Sequence, residues 1–415
     1  MRFSRLFQFS LLMSVASLVL SGCNNSSMSS PGPTLPPTGA SPTVAYVYVT
    51  NQSASSGPNQ IVAYAADANG KLTPVPGSPF NQNVGAMAAS GAYLLAVSAS
   101  DPNINSYSIA SNGAITLATQ FNFKQQTGYQ ANCGGLGSLL FDRTGQTLYS
   151  EVNNISCSSN NAIASFSFDP SKDSLAYLGN VNIGYRSSAA ISVLGSNAYA
   201  YSALYDACMY GGISSFVRDT TGLLNGIQNV ITPQFGPAAP AGSTSSGVRL
   251  PSYAPGFTAT DTTNHVAIAE FPCFQQSGVV ATKIQLATYT ADATGDLTTS
   301  DTSATMPATA VDPQVLEMSP SGSLLAVGGV GGLQVFHFNG ANPITSFTNV
   351  LTTDNIGQMF WDKNNHLYAI TLTAGSLAVS PGKLHVFTIT DAAASEAPGS
   401  PYTITSPLSL AVSSQ

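Results

Sequence analysis

The chain of 415 residues has few charged side chains, because only 7% of its residues are Asp, Glu, Lys or Arg, against roughly 25% in average soluble proteins. This scarcity excludes a long helical protein, whose exposed faces need Glu, Lys and Arg. The formal charge of −7 excludes a nucleic-acid-binding protein, which needs a basic surface. Because 43% of the residues are hydrophobic, an acidic disordered chain is excluded as well. A neutral, polar, β-rich secreted protein remains.

Long hydrophobic runs are also missing, apart from one at the N-terminus. Arg2 and Arg5 precede the apolar stretch 6–20, which is short for a membrane span and typical of an export signal. The stretch ends in Leu20-Ser-Gly-Cys23, which resembles the lipobox of bacterial lipoproteins. We therefore predict a lipoprotein signal peptide over 1–22, lipidation of Cys23, and anchoring in the bacterial cell envelope, in the outer membrane and periplasm or at the cell surface. An ordinary cleaved signal followed by a chance cysteine is the alternative.

The segment after the signal is rich in Ser, Pro and Gly and contains no charged residue up to Thr43. This composition predicts a flexible tether, with a root-mean-square reach on the order of 25 Å for its twenty or so residues. The predicted domain organisation is thus a signal peptide over 1–22, a lipidated cysteine and tether over 23–43, and a folded body over 44–415. The membrane is expected as a partner only through the lipid anchor.

A repeated pair of strands organises the body. The first strand of each pair is short and rich in Ala, Tyr, Val and Leu, and successive copies start between 43 and 67 residues apart. The second strand alternates apolar and polar residues, which indicates a half-buried strand. Seven copies at this spacing predict an all-β fold, a seven-bladed β-propeller of four-stranded antiparallel blades. The first strands start at Ala45, Ala92, Thr147, Ala198, His265, Ser323 and His366.

The two ends of the body are predicted to meet in one blade. Blade one lacks an inner strand, because the chain enters it from the tether at Val44. A strand pattern without a partner lies at the C-terminus, over 407–413. We predict that this segment is the inner strand of blade one, so that no sheet edge remains open. Turns such as Asp67-Ala-Asn-Gly70 recur at hairpin positions and are interpreted as turns rather than calcium loops.

Several motifs of the body resemble a known family. Tyr46-Val-Tyr-Val-Thr-Asn51 and Val75-Pro-Gly-Ser-Pro-Phe80, with Pro398-Gly-Ser-Pro401 in the last blade, are similar to the Tyr-Val-Thr-Asn β-propeller group. More narrowly, they resemble the seven-bladed lactonase-type family related to 6-phosphogluconolactonase. The resemblance covers residues 44–415. It implies a seven-bladed propeller and makes lactone hydrolysis an activity to test, although propellers host many functions.

Few charged residues are expected at the propeller mouth, where loops from the outer to the next inner strand meet loops from the second to the third strand. Two arginines facing acids there can hold a carboxylate or polarise a lactone carbonyl. Lactonase-type relatives often place Arg-His where this chain has Arg186-Ser187, so the expected general base is missing. The alternative is that these charges pair across blades and brace the loops. The tentative catalytic residues are Arg186, Arg249, Glu270, Asp206 and Glu151.

Four cysteines are expected in loops of the same mouth. In an exported protein they predict two disulfides, with Cys133–Cys157 and Cys208–Cys273 preferred among three possible connectivities. A four-cysteine metal site is the alternative, but the chain has no Cys-x-x-Cys spacing to support it. The four histidines lie at or inside predicted strands and are interpreted as locally bonded strand residues. We therefore predict neither a cofactor nor a metal.

Two classes of function remain open. The first is a noncatalytic module that binds or scaffolds a ligand or protein at the cell envelope. The alternative is a lactonase-like hydrolase that opens a small lactone at the propeller mouth; a phosphorylated substrate fits poorly, because export separates the chain from cytoplasmic sugar phosphates. The expected partner is a small molecule or an envelope protein, with no nucleic acid, and the chain is expected to be a monomer.

Overall fold

The computed structural model describes residues 41–52, 57–99, 103–123, 135–152, 161–184, 191–204, 212–231, 253–272, 283–371 and 381–415. These ranges form 29 strands, numbered β1 to β29 in chain order. The strands build seven antiparallel sheets, which are the blades of a propeller, so the predicted seven-bladed all-β fold is confirmed. No helix within these ranges has the length and hydropathy needed to cross a bilayer.

The first four blades follow one another along the chain, from inner to outer strand. Blade one contains β1 (Thr43–Asn51), β2 (Gln60–Asp67) and β3 (Leu72–Pro74). Blade two contains β4 (Val84–Ser90), β5 (Tyr93–Ser98), β6 (Asn103–Ile109) and β7 (Ile115–Asn122). Blade three contains β8 (Leu136–Phe141), β9 (Thr147–Val152), β10 (Asn161–Asp169) and β11 (Ser174–Gly184). Blade four contains β12 (Ser192–Val193), β13 (Tyr199–Leu204), β14 (Gly212–Arg218) and β15 (Leu224–Ile231).

The last three blades repeat this order. Blade five contains β16 (Tyr253–Thr260), β17 (His265–Pro272), β18 (Gln285–Ala291) and β19 (Leu297–Thr298). Blade six contains β20 (Asp312–Met318), β21 (Leu324–Val330), β22 (Gly332–Asn339) and β23 (Asn342–Ser346). Blade seven contains β24 (Ile356–Trp361), β25 (His366–Thr371), β26 (Pro381–Ile389), β27 (Ala394–Glu396) and β28 (Tyr402–Thr405).

The final strand, β29 (Pro407–Ser414), returns to blade one and confirms the predicted closure. It pairs antiparallel with β1, with Leu410 opposite Val49, and gives the order β29-β1-β2-β3. The Ser409 hydroxyl accepts a hydrogen bond from the backbone N–H of Met87 at 3.0 Å, which joins the closing strand to blade two as well. The two ends of the propeller are therefore held together by a complete strand ladder.

The core lies between neighbouring blades, because each strand presents alternate side chains to the blade on either side. Between blades four and five, Tyr201 packs with Val266 and Ile268 in one buried cluster. Between blades three and four, Tyr149 packs with Phe216 in another. The alternation seen in the sequence is thus the packing pattern of the blade faces.

Tyrosine hydroxyls connect each of several blades to a hairpin turn of the next. Tyr201 donates a hydrogen bond to the carbonyl of Gly295 at 3.0 Å, and Tyr149 donates one to the carbonyl of Gly222 at 2.9 Å. Both glycines have positive φ, where other residues are strained. In the same turns, Asp292 and the corresponding aspartate of blade four accept backbone N–H groups, so their interpretation as turns is confirmed.

The repeated Pro-Gly-Ser-Pro segments interrupt the outer strands of blades one and seven. In blade seven the segment separates β27 from β28, and both of these strands pair with β26. The Ser400 hydroxyl accepts the backbone N–H of Val386 at 2.9 Å, and Ser78 does the same for Ala63 in blade one. A serine hydroxyl therefore replaces one bond of the interrupted ladder at both places.

Candidate functional site

The inner strands of blades three to seven surround a cavity of about 280 Å³ on the propeller axis. Apolar side chains such as Leu140 and Phe360 line much of it, together with the hydroxyls of Ser138 and Thr260. Of the residues that the structure describes, two charged ones line it, Arg143 and Glu317. A small cavity with apolar walls and a few polar groups has the usual character of a ligand site, at the lower end of the size range of about 300–1,000 Å³.

Arg143 enters the cavity from the hairpin that joins β8 to β9. This hairpin is fixed by Asp142, whose Oδ1 accepts the backbone N–H groups of Gln146 and Thr147 at 3.1 and 3.2 Å. The Arg143 guanidinium then reaches blade five, where its Nη2 donates to the carbonyls of Thr260 and Asp261, both at 2.6 Å. Arg143 therefore crosses the axis at the end of the inner strands.

The environment of Arg143 combines access to water with partial desolvation. Arg143 is solvent-accessible, while the surrounding inner strands partly bury its guanidinium. This burial lowers the pKa of Arg143, while the nearby Asp261 and Glu317 raise it. An arginine remains charged under these conditions. Arg143 thus supplies a fixed positive charge to the cavity.

Glu317 lies on β20 and directs its carboxyl group towards the same cavity. Burial raises the pKa of Glu317 to about 8, and the charge of Arg143 opposes this shift. The backbone carbonyl of Glu317 accepts the indole N–H of Trp361 at 3.3 Å, but no described residue forms a hydrogen bond with its carboxyl group. At neutral pH the side chain is mostly a neutral acid that offers both a donor and an acceptor.

Glu270, a predicted mouth residue, lies near the end of β17 as expected, but inside the packing rather than at an open surface. It is 1% exposed, and its Oε1 accepts the hydroxyl of Tyr289 at 2.8 Å. Burial raises the pKa of Glu270 to about 7, against the lowering effect of the tyrosine hydrogen bond. The side chain shares the face of β17 that carries Val266 and Ile268, which pack towards blade four.

Glu151, the second described mouth candidate, occupies the end of β9 and is half-buried. It lies on the strand face of Tyr149, which packs against blade four. The structure therefore places Glu151 and Glu270 on the two sides of blade four, where they do not line the axial cavity.

The other predicted residues lie outside the described part of the chain. These residues remain predictions, and so do the two disulfides and the lipid anchor. They are Arg186, Asp206, Arg249, Cys23, Cys133, Cys157, Cys208 and Cys273.

The histidines have local partners, as interpreted from the sequence. His366 Nδ1 lies 2.8 Å from Asp362, and His265 Nδ1 lies 2.8 Å from Asp261. His385 is buried between two carboxylates, with Nδ1 3.0 Å from Glu396. His337 contacts the ring of Phe347, with centroids 4.3 Å apart. Among the residues that the structure describes, no group of three His, Cys, Asp or Glu side chains is arranged to hold a metal ion.

Sequence reasoning missed the two charged residues of the axial cavity. Arg143 belongs to the hairpin Asp142-Arg-Thr-Gly145 after β8, and Glu317 is the single charged residue between Gln314 and Ser319, on β20, so both lie in or beside inner strands. Inner strands face the propeller axis, so a charged residue in or beside an inner strand indicates a candidate site on the axis.

Comparison with known proteins places the fold among solved propellers. No family model and no curated protein matches the chain. A Bacteroides uniformis protein provisionally named a 6-phosphogluconolactonase has a TM-score of 0.60 at 12% identity, over 90% of this chain and 100% of its own. The Bacteroides fragilis protein of the same provisional name has a TM-score of 0.56 at 11% identity, over 89% and 98%.

A protein with a different name has the same architecture. The hypothetical selenium-binding protein from Sulfolobus tokodaii has a TM-score of 0.52 at 9% identity, over 90% of this chain and 94% of its own. Likeness at these identities concerns the fold alone, because one fold can host many functions. The chain is thus similar to proteins with lactonase names in its seven-bladed architecture.

Proposed function

We propose that the chain is a noncatalytic, lipid-anchored β-propeller of the bacterial cell envelope that binds a small ligand in its axial cavity. One observation carries this proposal: the cavity is lined by the charged Arg143 and by the Glu317 carboxyl group, which has no hydrogen-bond partner among the described residues. Glu317 is half-buried and lines the cavity, so its carboxyl group is free to bond with a molecule that enters the cavity. A bound ligand supplies that partner.

Binding fits the described residues better than catalysis. General acid–base catalysis needs a titrating group within hydrogen-bond reach of a reacting atom. His385 faces a carboxylate with each ring nitrogen, and among the described residues no histidine lines the axial cavity. The Glu317 carboxyl group has no hydrogen-bond partner among the described residues, but the Arg143 guanidinium is held by two backbone carbonyls and serves as a fixed charge.

The envelope location is supported by the N-terminal sequence alone. The Leu20-Ser-Gly-Cys23 segment, and the uncharged tether behind it, suit a folded body that is held near a membrane and moves freely above it. Metabolic labelling with a fatty acid should label the wild-type chain, and the Cys23→Ser variant should remain unlabelled. Labelling that survives this substitution would contradict the anchor.

The binding proposal is tested with the full chain and a panel of small polar molecules. Thermal-shift screening should find at least one compound that raises Tm, and calorimetry should then give a Kd. The Glu317→Ala variant should bind that compound at least tenfold more weakly, whereas Asp296→Asn, which changes an exposed acid of a hairpin turn, should bind it normally. Equal binding by all three proteins would overturn the axial site.

Lactone hydrolysis is the second candidate function, and the raised pKa of Glu270 favours it. This pKa of about 7 suits a general base at neutral pH. The provisional names of the Bacteroides structures indicate simple sugar lactones as the first substrates to assay. Turnover by the wild type that is lost in Glu270→Ala or Arg186→Ala would replace the noncatalytic proposal. Absence of turnover would support it.

A further inference from the structure

We propose that the ligand of the axial cavity is a small monocarboxylate, held between the Arg143 guanidinium and the Glu317 carboxyl group. This inference rests on the proposed binding function and specifies its ligand. The observation behind it is a gap: the two side chains interact electrostatically across the cavity but form no direct ion pair. A ligand that can bond with both fills this gap.

The unused hydrogen-bonding atoms define what the ligand must offer. Arg143 uses Nη2 for the carbonyls of Thr260 and Asp261, and its Nε and Nη1 have no partner among the described residues. A guanidinium with free N–H groups is a strong donor to carboxylate oxygens. Glu317, as a neutral acid, adds an O–H donor. Two donors on opposite sides of a small space suit an anion with two adjacent oxygens.

Charge selects a monoanion over the other classes of ligand. Among the described residues, Arg143 and Glu317 are the charged groups of the lining, and with Glu317 neutral these two give the cavity one positive charge. A cation would be repelled by Arg143, and a phosphate dianion would find a single positive group. Leu140, Phe141, Val315 and Phe360 line the remaining space and favour a short, partly apolar body on the carboxylate.

The same arrangement makes binding depend on pH. The elements around Glu317 bring two titratable side chains to the cavity, Arg143 from the β8–β9 hairpin and Tyr149 from β9, while β12, β16 and β24 contribute none. Above the pKa of Glu317, about 8, its ionised carboxylate repels a bound anion. The form that binds the anion is the one with a protonated Glu317, and the fraction of this form decreases as the pH rises. The apparent affinity for the carboxylate should therefore be about tenfold weaker at pH 9.0 than at pH 6.5.

The test is calorimetry on the full chain with matched probes. Benzoate and D-gluconate serve as carboxylates, and benzamide and sorbitol serve as their neutral counterparts. We expect a carboxylate to bind at pH 6.5 and about tenfold more weakly at pH 9.0. The Glu317→Gln variant, which keeps a donor but does not titrate, should bind it equally at both values. Arg143→Ala should lose it, and Asp296→Asn should behave as the wild type.

The outcomes separate this inference from the function on which it rests. Binding of a neutral probe through Glu317, with no binding of either carboxylate, would overturn the carboxylate and leave the axial binding site standing. Binding of a carboxylate with the same pH dependence in Glu317→Gln would overturn the role of the Glu317 proton. If no probe binds the wild-type chain and no compound of the wider screen stabilises it, both the carboxylate inference and the proposed binding function are overturned.

Discussion

At the scale of single residues, the few charges of this chain are used in buried pairs as well as on the surface. Arg218 donates through Nη2 to Asp142 at 2.8 Å and through Nε to the hydroxyl of Tyr149 at 2.9 Å. The side chains of this ion pair are 13% and 0% exposed. Since Asp142 also fixes the hairpin that carries Arg143, the pair connects the packing of blades three and four to the axial cavity.

Breaking this buried pair should be costly. The Arg218→Met variant leaves the Asp142 carboxylate without its counter-charge, and we expect the free energy of unfolding to fall by about 3 kcal/mol. The Lys172→Met variant removes the cation of the Lys172–Asp169 pair, whose lysine side chain is 75% exposed, and should leave the stability unchanged. Urea denaturation of the two variants makes the comparison. Equal losses would show that burial does not decide the contribution of these pairs.

Glu270 makes a second prediction at this scale, on the pH dependence of stability. Its folded pKa of about 7 lies above the ordinary value of 4.5, so the native state holds the proton more tightly than the unfolded chain. Stability should therefore decrease as pH rises from about 4.5 to 7, by on the order of 3 kcal/mol for this group.

The Glu270→Gln variant isolates that contribution from the one that Glu317 makes. Below pH 4.5 the two proteins should unfold with similar free energies, because the wild-type side chain is then neutral as well. At pH 8 the variant should be the more stable one. Urea unfolding across this range measures the difference, and a difference that stays constant with pH would contradict the buried, proton-holding state of Glu270.

The residues of the site were only partly predictable. The position of Glu270 at the end of a second strand followed from the repeat, but its burial against Tyr289 did not, because alternation alone cannot tell a mouth from a blade interface. Arg143 was not predicted as a site residue. Its contact with Thr260 joins residues 117 positions apart, and such contacts depend on how many blades close the ring.

At the scale of elements, the closing strand β29 carries one buried and one exposed leucine. Leu410 is 0% exposed and belongs to the cluster between blades one and seven, whereas Leu408 is 46% exposed on the same strand. Their different exposure gives a matched pair for measuring what the closure contributes.

Replacing the two leucines by alanine should have different effects on the free energy of unfolding. Leu410→Ala should lower the free energy of unfolding by about 2–5 kcal/mol, because it leaves a cavity in a packed core. Leu408→Ala should change it little. Chemical denaturation of both variants, beside a chain lacking residues 406–415 that should not fold cooperatively, checks the closure. A normal unfolding transition in the truncated chain would contradict it.

The elements themselves were largely predictable, because their signals are local. Alternation identified the second strands, and Asp-x-x-Gly turns identified the hairpins. The division of the last outer strand into β27 and β28 was not predicted, although the Pro-Gly-Ser-Pro segment that causes it was recognised. Its serine bonds to a neighbouring strand, and a local pattern does not show that partner.

At the scale of the whole molecule, the shortage of charge acquires a specific meaning. The fold needs few charges, because its blades pack through apolar faces and join through tyrosine hydroxyls and serine side chains. Within the described ranges, the axial cavity holds an arginine and a glutamic acid that are near each other without pairing. A molecule that uses charge so sparingly elsewhere has kept two such groups on its axis, and the proposed function rests on them.

A crystal structure of the full chain with a bound carboxylate at pH 6.5 tests this claim most directly. We predict density for the carboxylate in the axial cavity, within hydrogen-bond distance of both the Arg143 guanidinium and the Glu317 carboxyl group. A carboxylate found only among the mouth loops, with the space between Arg143 and Glu317 filled by water, would contradict the axial site.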